Sequence, residues 1–438
     1  MTSTAEIYEL FKKHPLISTD TRNITPGSLF FALKGEKFDA NTFAAQAIEA
    51  GAAYAVIDNA QYVANEKYLL VDDVLTAIQA LARHHRQQLT IPVIGLTGTN
   101  GKTTTKELIS SVLSQRYKTL ATQGNLNNHI GVPLTVLSID PTHEIAVIEM
   151  GANHQKEIEL LCSIARPTNG LITNVGKAHL EGFGGVEGVK KGKGELYDFL
   201  AASQGVAFIN SDSSDLLAMQ QQRELKKVEF YGTGNSGNTV KGAIVENAPY
   251  LTLEWENNHS GRSHVVKTQL TGGYNLHNVL AAICIGVYFG LTDEAINAGV
   301  ENYQPKNNRS QIVKTATNTL ICDYYNANPS SMAVAIENLG LMEANRKVMI
   351  LGDMFEMGEE SQAEHAAIIK KAMATPANER IFIGKDFYAA GTATAKTATY
   401  YLTAGEAVSA LKAKPIKNAT ILIKGSRGMA LERLVELL

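Results

Sequence analysis

Short apolar runs alternate along this chain with longer stretches in which apolar residues recur every three or four positions. The first pattern marks buried strands and the second marks helices. From the start to about residue 86 the runs at 29–33, 54–57 and 68–71 predict strands, and 74–88 predicts a helix leading out of this zone. That helix must end before Pro92, which disfavours helix at the residue before it. A second zone opens with an apolar strand at 91–96 and continues with strands at 119–121, 145–149, 170–174 and 206–209, with helical stretches between them. A β-rich insert rich in Gly, Asn and Thr follows over 228–270, and 276–289 reads as a buried helix. The third zone begins near Asn308 and has strands at 320–324, 348–351, 381–383 and 421–423, with a helix over 362–373. Alternating strand and helix predicts an α/β protein with parallel sheets covered on both faces.

The 438 residues suggest about three domains at ~150 residues each. We expect a small N-terminal α/β domain over 1–86, a central P-loop-type parallel-sheet domain over 87–307, and a C-terminal α/β domain over 308–438. The last is dinucleotide-fold-like but lacks a Gly-x-Gly-x-x-Gly fingerprint in its first turn. A formal net charge of -3 gives no bulk basic field, so nucleic-acid binding is not expected. The N-terminus carries Glu6, Glu9, Lys12 and Lys13 and has no signal-peptide core. The longest apolar stretch, 279–291, is well short of the ~20 residues that span a membrane. Cys162, Cys284 and Cys322 sit among apolar neighbours with no CxxC spacing, so we expect buried thiols and no zinc site. These features predict a cytoplasmic protein, with a monomer as the default.

The chemistry starts at 98–105, GTNGKTTT. It follows a predicted strand and opens a helix whose Leu108, Ile109, Val112 and Leu113 form a stripe for packing on a sheet. Gly98 and Gly101 would let backbone N–H groups wrap phosphate oxygens. The helix N-terminus adds partial positive charge. Lys102 would reach the β- and γ-phosphates of ATP and the Thr103 hydroxyl would bind Mg2+. A bare Gly-Lys-Thr string arises by chance, and position 96 is Leu where the common spacing has Gly. The strand–loop–helix setting is what makes it a nucleotide site.

Three further groups fall at strand ends on the same edge. Glu149 closes the strand at 145–149, where a carboxylate can hold Mg2+. Without the loop it would read equally as a solvated strand end. His179 follows another strand, in TNVGKAHLEGFG (173–184), although a lone histidine is more often a surface or capping residue. Lys190, Lys191 and Lys193 form a basic run that reads as a solvated helix start. Alternatively one of them, deprotonated near cations, captures CO2 as a carbamate and becomes an oxygen ligand.

GTNGKTTT, EMGANH (149–154), TNVGKAHLEGFG and KGE (193–195) together resemble the Mur ligases, cytoplasmic enzymes that build the peptide stem of cell-wall precursors. DYYNANPSSM (323–332), LGDMFEMG (351–358) and KGSRGM (424–429) are similar to the branch of that family that adds D-alanyl-D-alanine. STDTR (18–22), GSLFFALKG (27–35) and QGNLNNHIGVP (123–133) agree. FDANTF (38–43) departs from the family pattern at Ala40 and Asn41, and GGYNLHN (272–278) has Tyr274 before Asn275.

The resemblance implies three domains. The first binds the UDP end of the substrate, the second holds ATP, and the third closes and brings the amine. It implies that Gly98, Thr99, Asn100, Gly101, Lys102, Thr103 and Thr104 hold ATP, with Asn275 and Asn278 on the adenine side. Arg309 would reach phosphate and Asp323 the ribose. Thr103 and Glu149 would bind one Mg2+, and His179 with a carbamylated Lys193 a second. Asp20, Thr21 and Arg22 match the uridine motif, Asn127 and Asn128 would face the sugar–peptide part, and Asn326 and Asn328 the incoming dipeptide.

The implied reaction is ATP-dependent amide formation. The carboxylate of UDP-N-acetylmuramoyl-tripeptide would be phosphorylated and then attacked by the amine of D-alanyl-D-alanine. Two rivals stand beside it: a folylpolyglutamate synthetase-like ligase, which needs no uridine-binding domain, and a P-loop kinase or regulatory ATPase. A non-catalytic nucleotide-binding module is a third, disfavoured by the set Lys102, Glu149 and His179.

Overall fold

The computed structural model describes every residue except Ala178, Asn235, Ser236, Ala248, Ala393 and Thr394. Three α/β units follow one another along the chain.

In the first, four short strands make a parallel sheet in the order Ile17–Ser18, Leu29–Phe31, Tyr54–Ile57, Tyr68–Leu70. The opening helix Thr4–Lys13 is fixed by a capping box between Ser3 and Glu6, which satisfies two backbone N–H groups reciprocally. The helix Val74–Gln88 starts on an Asp73 cap and buries Val74, Ile78, Leu81 and Ala82, spaced to share one face. It packs on Thr4–Lys13 and also on the helices Gly131–Leu137 and Glu157–Ala165 of the second unit. Arg86 is 6% exposed and donates to the carbonyls of Ala165 (2.9 Å), Leu89 (2.8 Å) and Arg166 (3.2 Å). One apolar core therefore runs without a break from Ile7 and Phe11 through Ile78 to Leu161 and Leu196.

The second unit is built on a nine-stranded sheet. Its parallel centre runs Val206–Asn210, Asn169–Ile172, Val93–Thr97, Ile145–Glu149, Thr119–Ala121. Each observed strand lies within a few residues of its predicted range. The 228–270 stretch differs: it is no insert. Lys227–Gly232 pairs parallel with Val206–Asn210, and Val240–Glu246, Thr252–Asn257 and Arg262–Lys267 extend the same sheet. Tyr231, Val240, Trp255 and Val266 face the helix Leu276–Tyr288 in one core, so burial ties these strands to the central sheet.

The third unit has a six-stranded sheet in the order Gln311–Lys314, Thr319–Asp323, Thr420–Lys424, Lys347–Gly352, Glu379–Ile383, Thr399–Tyr401. Only the first strand is antiparallel. Both edge strands escaped the sequence reading, because they are short and half-exposed. The predicted helix at 362–373 is observed as Ser361–Ala374. The three cysteines are free and buried, and burial pushes the Cys322 thiol up to about 11. Among the described residues no helix is long and apolar enough to cross a membrane.

Candidate active site

The strand Val93–Thr97 lies between Ile145–Glu149 and Asn169–Ile172, with Leu96 beside Glu149 and Thr97 beside Ile172. The three parallel strands therefore end together. The chain leaves Val93–Thr97 to fill one side of the sheet and then the other, which opens a crevice at the carboxyl ends.

The loop after Thr97 is held by hydrogen bonds to the segment after Ile172. Thr99 N donates to Asn174 O (3.0 Å) and Asn100 N to Asn174 Oδ1 (2.9 Å). Thr173 Oγ1 and Asn174 Nδ2 both donate to Asn100 O, at 2.6 and 2.9 Å. Glycine is required twice. At Gly98 (φ +149°) a Cβ would fall 2.0 Å from Thr173 Oγ1, and at Gly101 (φ +76°) 2.7 Å from Asn278 Oδ1. Gly101 then caps the helix Lys102–Leu113. Lys102 Nζ folds back onto the carbonyls of Gly98 (2.8 Å) and Thr99 (3.2 Å). Burial and nearby Arg309 lower its pKa, against the pull of Glu149.

Glu149 is 2% exposed. Its Oε1 accepts from Thr103 Oγ1 (3.3 Å) and Asn127 Nδ2 (2.8 Å), while Oε2 is buried without a partner. An orphaned carboxylate oxygen is costly unless something fills the place beside it. Asn127, expected to face the sugar–peptide substrate, donates to this carboxylate and also lines the cavity. Asn128 accepts from the Ile130 and Gly131 N–H groups (3.1 and 2.9 Å).

A cavity of about 800 Å³ opens over these groups. Its wall takes in residues 99–104, Asn127, Asn128, Glu149 and His179 from the second unit, with Asn275 and Asn278. From the third unit come Arg309, Asp323, Tyr325, Asn326, Asn328 and Lys424. Most of the predicted residues are thus brought together. Asn275 and Asn278 are spoken for within the protein: Asn275 Nδ2 donates to Thr271 O (2.9 Å), Asn278 Nδ2 to Asn275 Oδ1 (2.9 Å), and Thr105 Oγ1 to Asn278 Oδ1 (3.1 Å). They brace the phosphate loop from below.

Lys193 stands just behind the wall. It is 2% exposed, donates to Ala152 O at 3.2 Å, and lies 5.0 Å from the Phe183 ring centre. Burial, reinforced by Lys102, pulls its pKa down to about 7. Lys190 pairs with Glu187 and Asp215 near the surface, and Lys191 is exposed. Burial thus favours the neutral amine at Lys193, whereas the carboxylates beside Lys190 favour its charged form. Its helix carries Glu195, which caps the neighbouring helix through Lys156 N (2.6 Å) and Glu159 N (2.9 Å). His179 has φ +51°, and its Nδ1 meets the carboxylate of Glu356 from the third unit. Burial lowers its pKa against that carboxylate. Ala178, within the quoted motif, lies outside the described residues.

The seam between the second and third units is polar. Asn328 Nδ2 donates to Asn100 Oδ1 (2.7 Å), Tyr274 shares a hydrogen bond with Ser310 (2.6 Å), Asn338 reaches Thr271 (3.1 Å), and Lys177 pairs with Glu364 (2.7 Å). Asp323 and Lys424 end adjacent parallel strands, and their ion pair closes at 2.6 Å. Lys424, Asn174, Tyr325 and Glu356 were given no role from sequence. Asn174 and Lys424 could have been found by the strand-end rule that selected Glu149; Glu356 could not, because its partner belongs to another unit.

Asp20, Thr21 and Arg22 do not line this cavity. They form a capped turn in the first unit, where hydrogen bonds from Arg22 hold the Asp20 carboxyl at about 2. Asn41, at the departure from the family pattern, is fully buried and bonded to Asp39 (2.7 Å) and Asp58 (2.8 Å). It is a structural lock.

A phosphate loop, a buried carboxylate facing it and a third unit closing over both define a class of nucleotide-using ligase. The chain belongs to the Mur ligase family: residues 15–86 match the family's catalytic domain model, 96–286 its middle domain, and 308–427 its glutamate ligase domain. It is therefore an ATP-dependent ligase. A relative from Escherichia coli (strain K12), UDP-N-acetylmuramoyl-tripeptide–D-alanyl-D-alanine ligase, is 38% identical over 425 residues, covering 96% of this chain and 93% of that one. MurF from Acinetobacter baumannii superposes with a TM-score of 0.86 at 32% identity, covering 96% of this chain and 92% of that one. MurF ligase from Thermotoga maritima in complex with ADP gives 0.85 at 25% identity, covering 100% and 98%.

Proposed function

We propose that this protein joins D-alanyl-D-alanine to UDP-N-acetylmuramoyl-tripeptide with conversion of ATP to ADP and phosphate. The observation that carries this reading is the single cavity in which Lys102, Thr103 and Glu149 face Arg309, Tyr325, Asn326 and Asn328 of the third unit. The three relatives carry names for that activity or that enzyme.

Residues 98–104 bind the ATP phosphates through backbone N–H groups and the helix end. Lys102 is the cation nearest them, and Arg309 adds a second. Asp323 takes the ribose, and Asn275 and Asn278 lie toward the adenine. Mg2+ fits the donors present. Glu149 Oε2 is buried and unpartnered beside the Thr103 hydroxyl. Among the described residues no three His, Cys, Asp or Glu converge. An ion there would be held by the Glu149 carboxylate and the Thr103 hydroxyl, with substrate phosphates completing the set, as is common for Mg2+. His179 and Lys193, as the carbamate of its neutral amine, would hold a second ion. Bound metal would draw charge from the phosphoryl oxygens.

The tripeptide carboxylate attacks the γ-phosphorus and ADP leaves, giving an acyl phosphate. Lys102 and Arg309 offset the charge collecting on the phosphates. The dipeptide amine, oriented by Asn326 and Asn328, then attacks the acyl carbon. Phosphate leaves and the amine gives up a proton. The docked third unit keeps water from the acyl phosphate. The first unit, through Asp20, Thr21 and Arg22, anchors the uridine end, with Asn128 toward the sugar–peptide part.

The test is phosphate release by the purified enzyme with ATP and Mg2+. Release should need both the UDP-tripeptide and the dipeptide. Full turnover with either omitted refutes the proposal.

A further inference from the structure

Arg427 has no partner of opposite charge. Its side chain is exposed, it belongs to the turn Arg427–Met429 that follows the strand Thr420–Lys424, and among the described residues no carboxylate pairs with it. The turn is nevertheless rigid. Ser426 is 3% exposed, its N–H donates to Asp353 O (3.1 Å), and its Oγ accepts from Phe355 N (2.9 Å). The guanidinium lies 5.0 Å from the centre of the Tyr325 ring. Arg309 stacks on the same ring at 3.9 Å. Tyr325 and Arg309 line the cavity, and Arg427 lies against the same ring just outside the lining residues. Stacking on an aromatic face fixes a guanidinium while leaving its N–H fork free.

Phe355 adds an apolar surface beside it. It is 45% exposed, and a Cβ at Gly428 would fall 2.6 Å from its ring. A held cation next to an exposed ring, on the third unit and beside Asn326, matches a small amine substrate with a carboxylate at one end and a methyl side chain. The other cations of the cavity are accounted for. Lys424 is neutralised by Asp323, Lys102 is folded onto the phosphate-loop carbonyls of Gly98 and Thr99, and Arg309 lines the cavity against Tyr325.

We infer that Arg427, held against Tyr325, binds the terminal carboxylate of the incoming dipeptide, with Phe355 against its methyl group. The inference rests on the function proposed above. A carboxylate on a guanidinium fork makes two parallel charge-assisted hydrogen bonds. The dipeptide's amine is thereby left to point inward, toward the acyl carbon.

The experiment compares D-alanyl-D-alanine with its C-terminal amide at saturating ATP and UDP-tripeptide. It uses the full-length wild type, Arg427→Ala and Arg427→Lys. With the acid, Arg427→Ala should raise the dipeptide KM about 10- to 100-fold, leaving the KM for ATP unchanged. The wild type should lose a similar factor when given the amide, and Arg427→Ala should lose little more with it. Arg427→Lys keeps the charge and should recover part of the loss. An equal loss for acid and amide on substitution overturns the inference, as does a rise in the ATP KM in place of the dipeptide KM. A wild type that turns over neither dipeptide overturns the function reading, and this inference with it. The three proteins should melt at the same temperature, because the side chain is exposed.

Discussion

Replacing Lys193 by methionine should make the protein more stable and inactive. The buried amine titrates at about 7 where a free lysine titrates near ~10.4. Holding it as an ammonium therefore costs the folded state about 4–5 kcal/mol. Methionine has a similar length and no charge. It forfeits the bond to Ala152 O and the contact with Phe183, together worth about 1–2 kcal/mol. A net gain of about 2–4 kcal/mol is expected at pH 7 and below, in CO2-free buffer. The sign with pH follows from proton counts. Between about pH 7 and ~10 the unfolded lysine keeps a proton that the folded one has shed, so the wild type gains stability as pH rises. The variant has no such dependence. Its advantage should shrink by up to ~1.4 kcal/mol per pH unit across that window, cross zero about 2–3 units above pH 7, and reverse to a deficit of about 1–2 kcal/mol, the lost contacts alone, near the unfolded pKa. Trp255, the single tryptophan, is fully buried in the central sheet, so its fluorescence in urea reports this domain. A variant less stable than wild type at pH 7, or a difference independent of pH, would refute the reasoning.

Three more expectations follow from the same geometry. Glu149→Gln keeps a carbonyl for Asn127 but removes the charge behind the unpartnered oxygen. It should raise the Mg2+ needed for half-maximal rate and lower kcat by ~100-fold or more, read from Mg2+ titrations of phosphate release. Gly98→Ala puts a methyl 2.0 Å from Thr173 Oγ1 and should abolish ATP binding by calorimetry while the protein still folds. Arg86→Met leaves the carbonyls of Ala165 and Arg166 without their donor and should lower stability by about 2–4 kcal/mol, seen as an earlier urea midpoint with unchanged KM values.

The parts of the site that lie close in sequence were legible in it. The loop at 98–105 carries its own local signal, because glycine and lysine spacing decides backbone geometry and charge together. Glu149 was legible through position, since the end of a parallel strand faces the ligand. What sequence could not supply was pairing across distance. Asn127 reads from sequence as a substrate contact, and its bond to Glu149 appears only in the fold. Glu356 reads as a surface residue until its carboxylate is seen on His179. The 228–270 stretch reads as an insert because its glycines and asparagines interrupt the apolar alternation. The strand pairing and the shared core with Leu276–Tyr288 show that these strands belong to the central sheet. Among the three lysines the Lys-Gly-Glu pattern pointed to Lys193, and burial then sets it apart from Lys190 and Lys191.

The two joints of the molecule are made of different material. The first is hydrocarbon around a buried Arg86. The second is amides, hydroxyls and ion pairs. Parting the first would wet a continuous core, so the first two units should travel and unfold together. Parting the second exchanges each bond for one to water at a net loss of about 1 kcal/mol apiece. Of the two joints, the second is therefore the one that would open at the lower cost if the third unit moves during turnover. Where the third unit begins, Arg309 stacks on Tyr325 of that same unit and Ser310 bonds to Tyr274 of the second, so opening this joint would break the Ser310 bond and leave the Arg309 stack within the third unit.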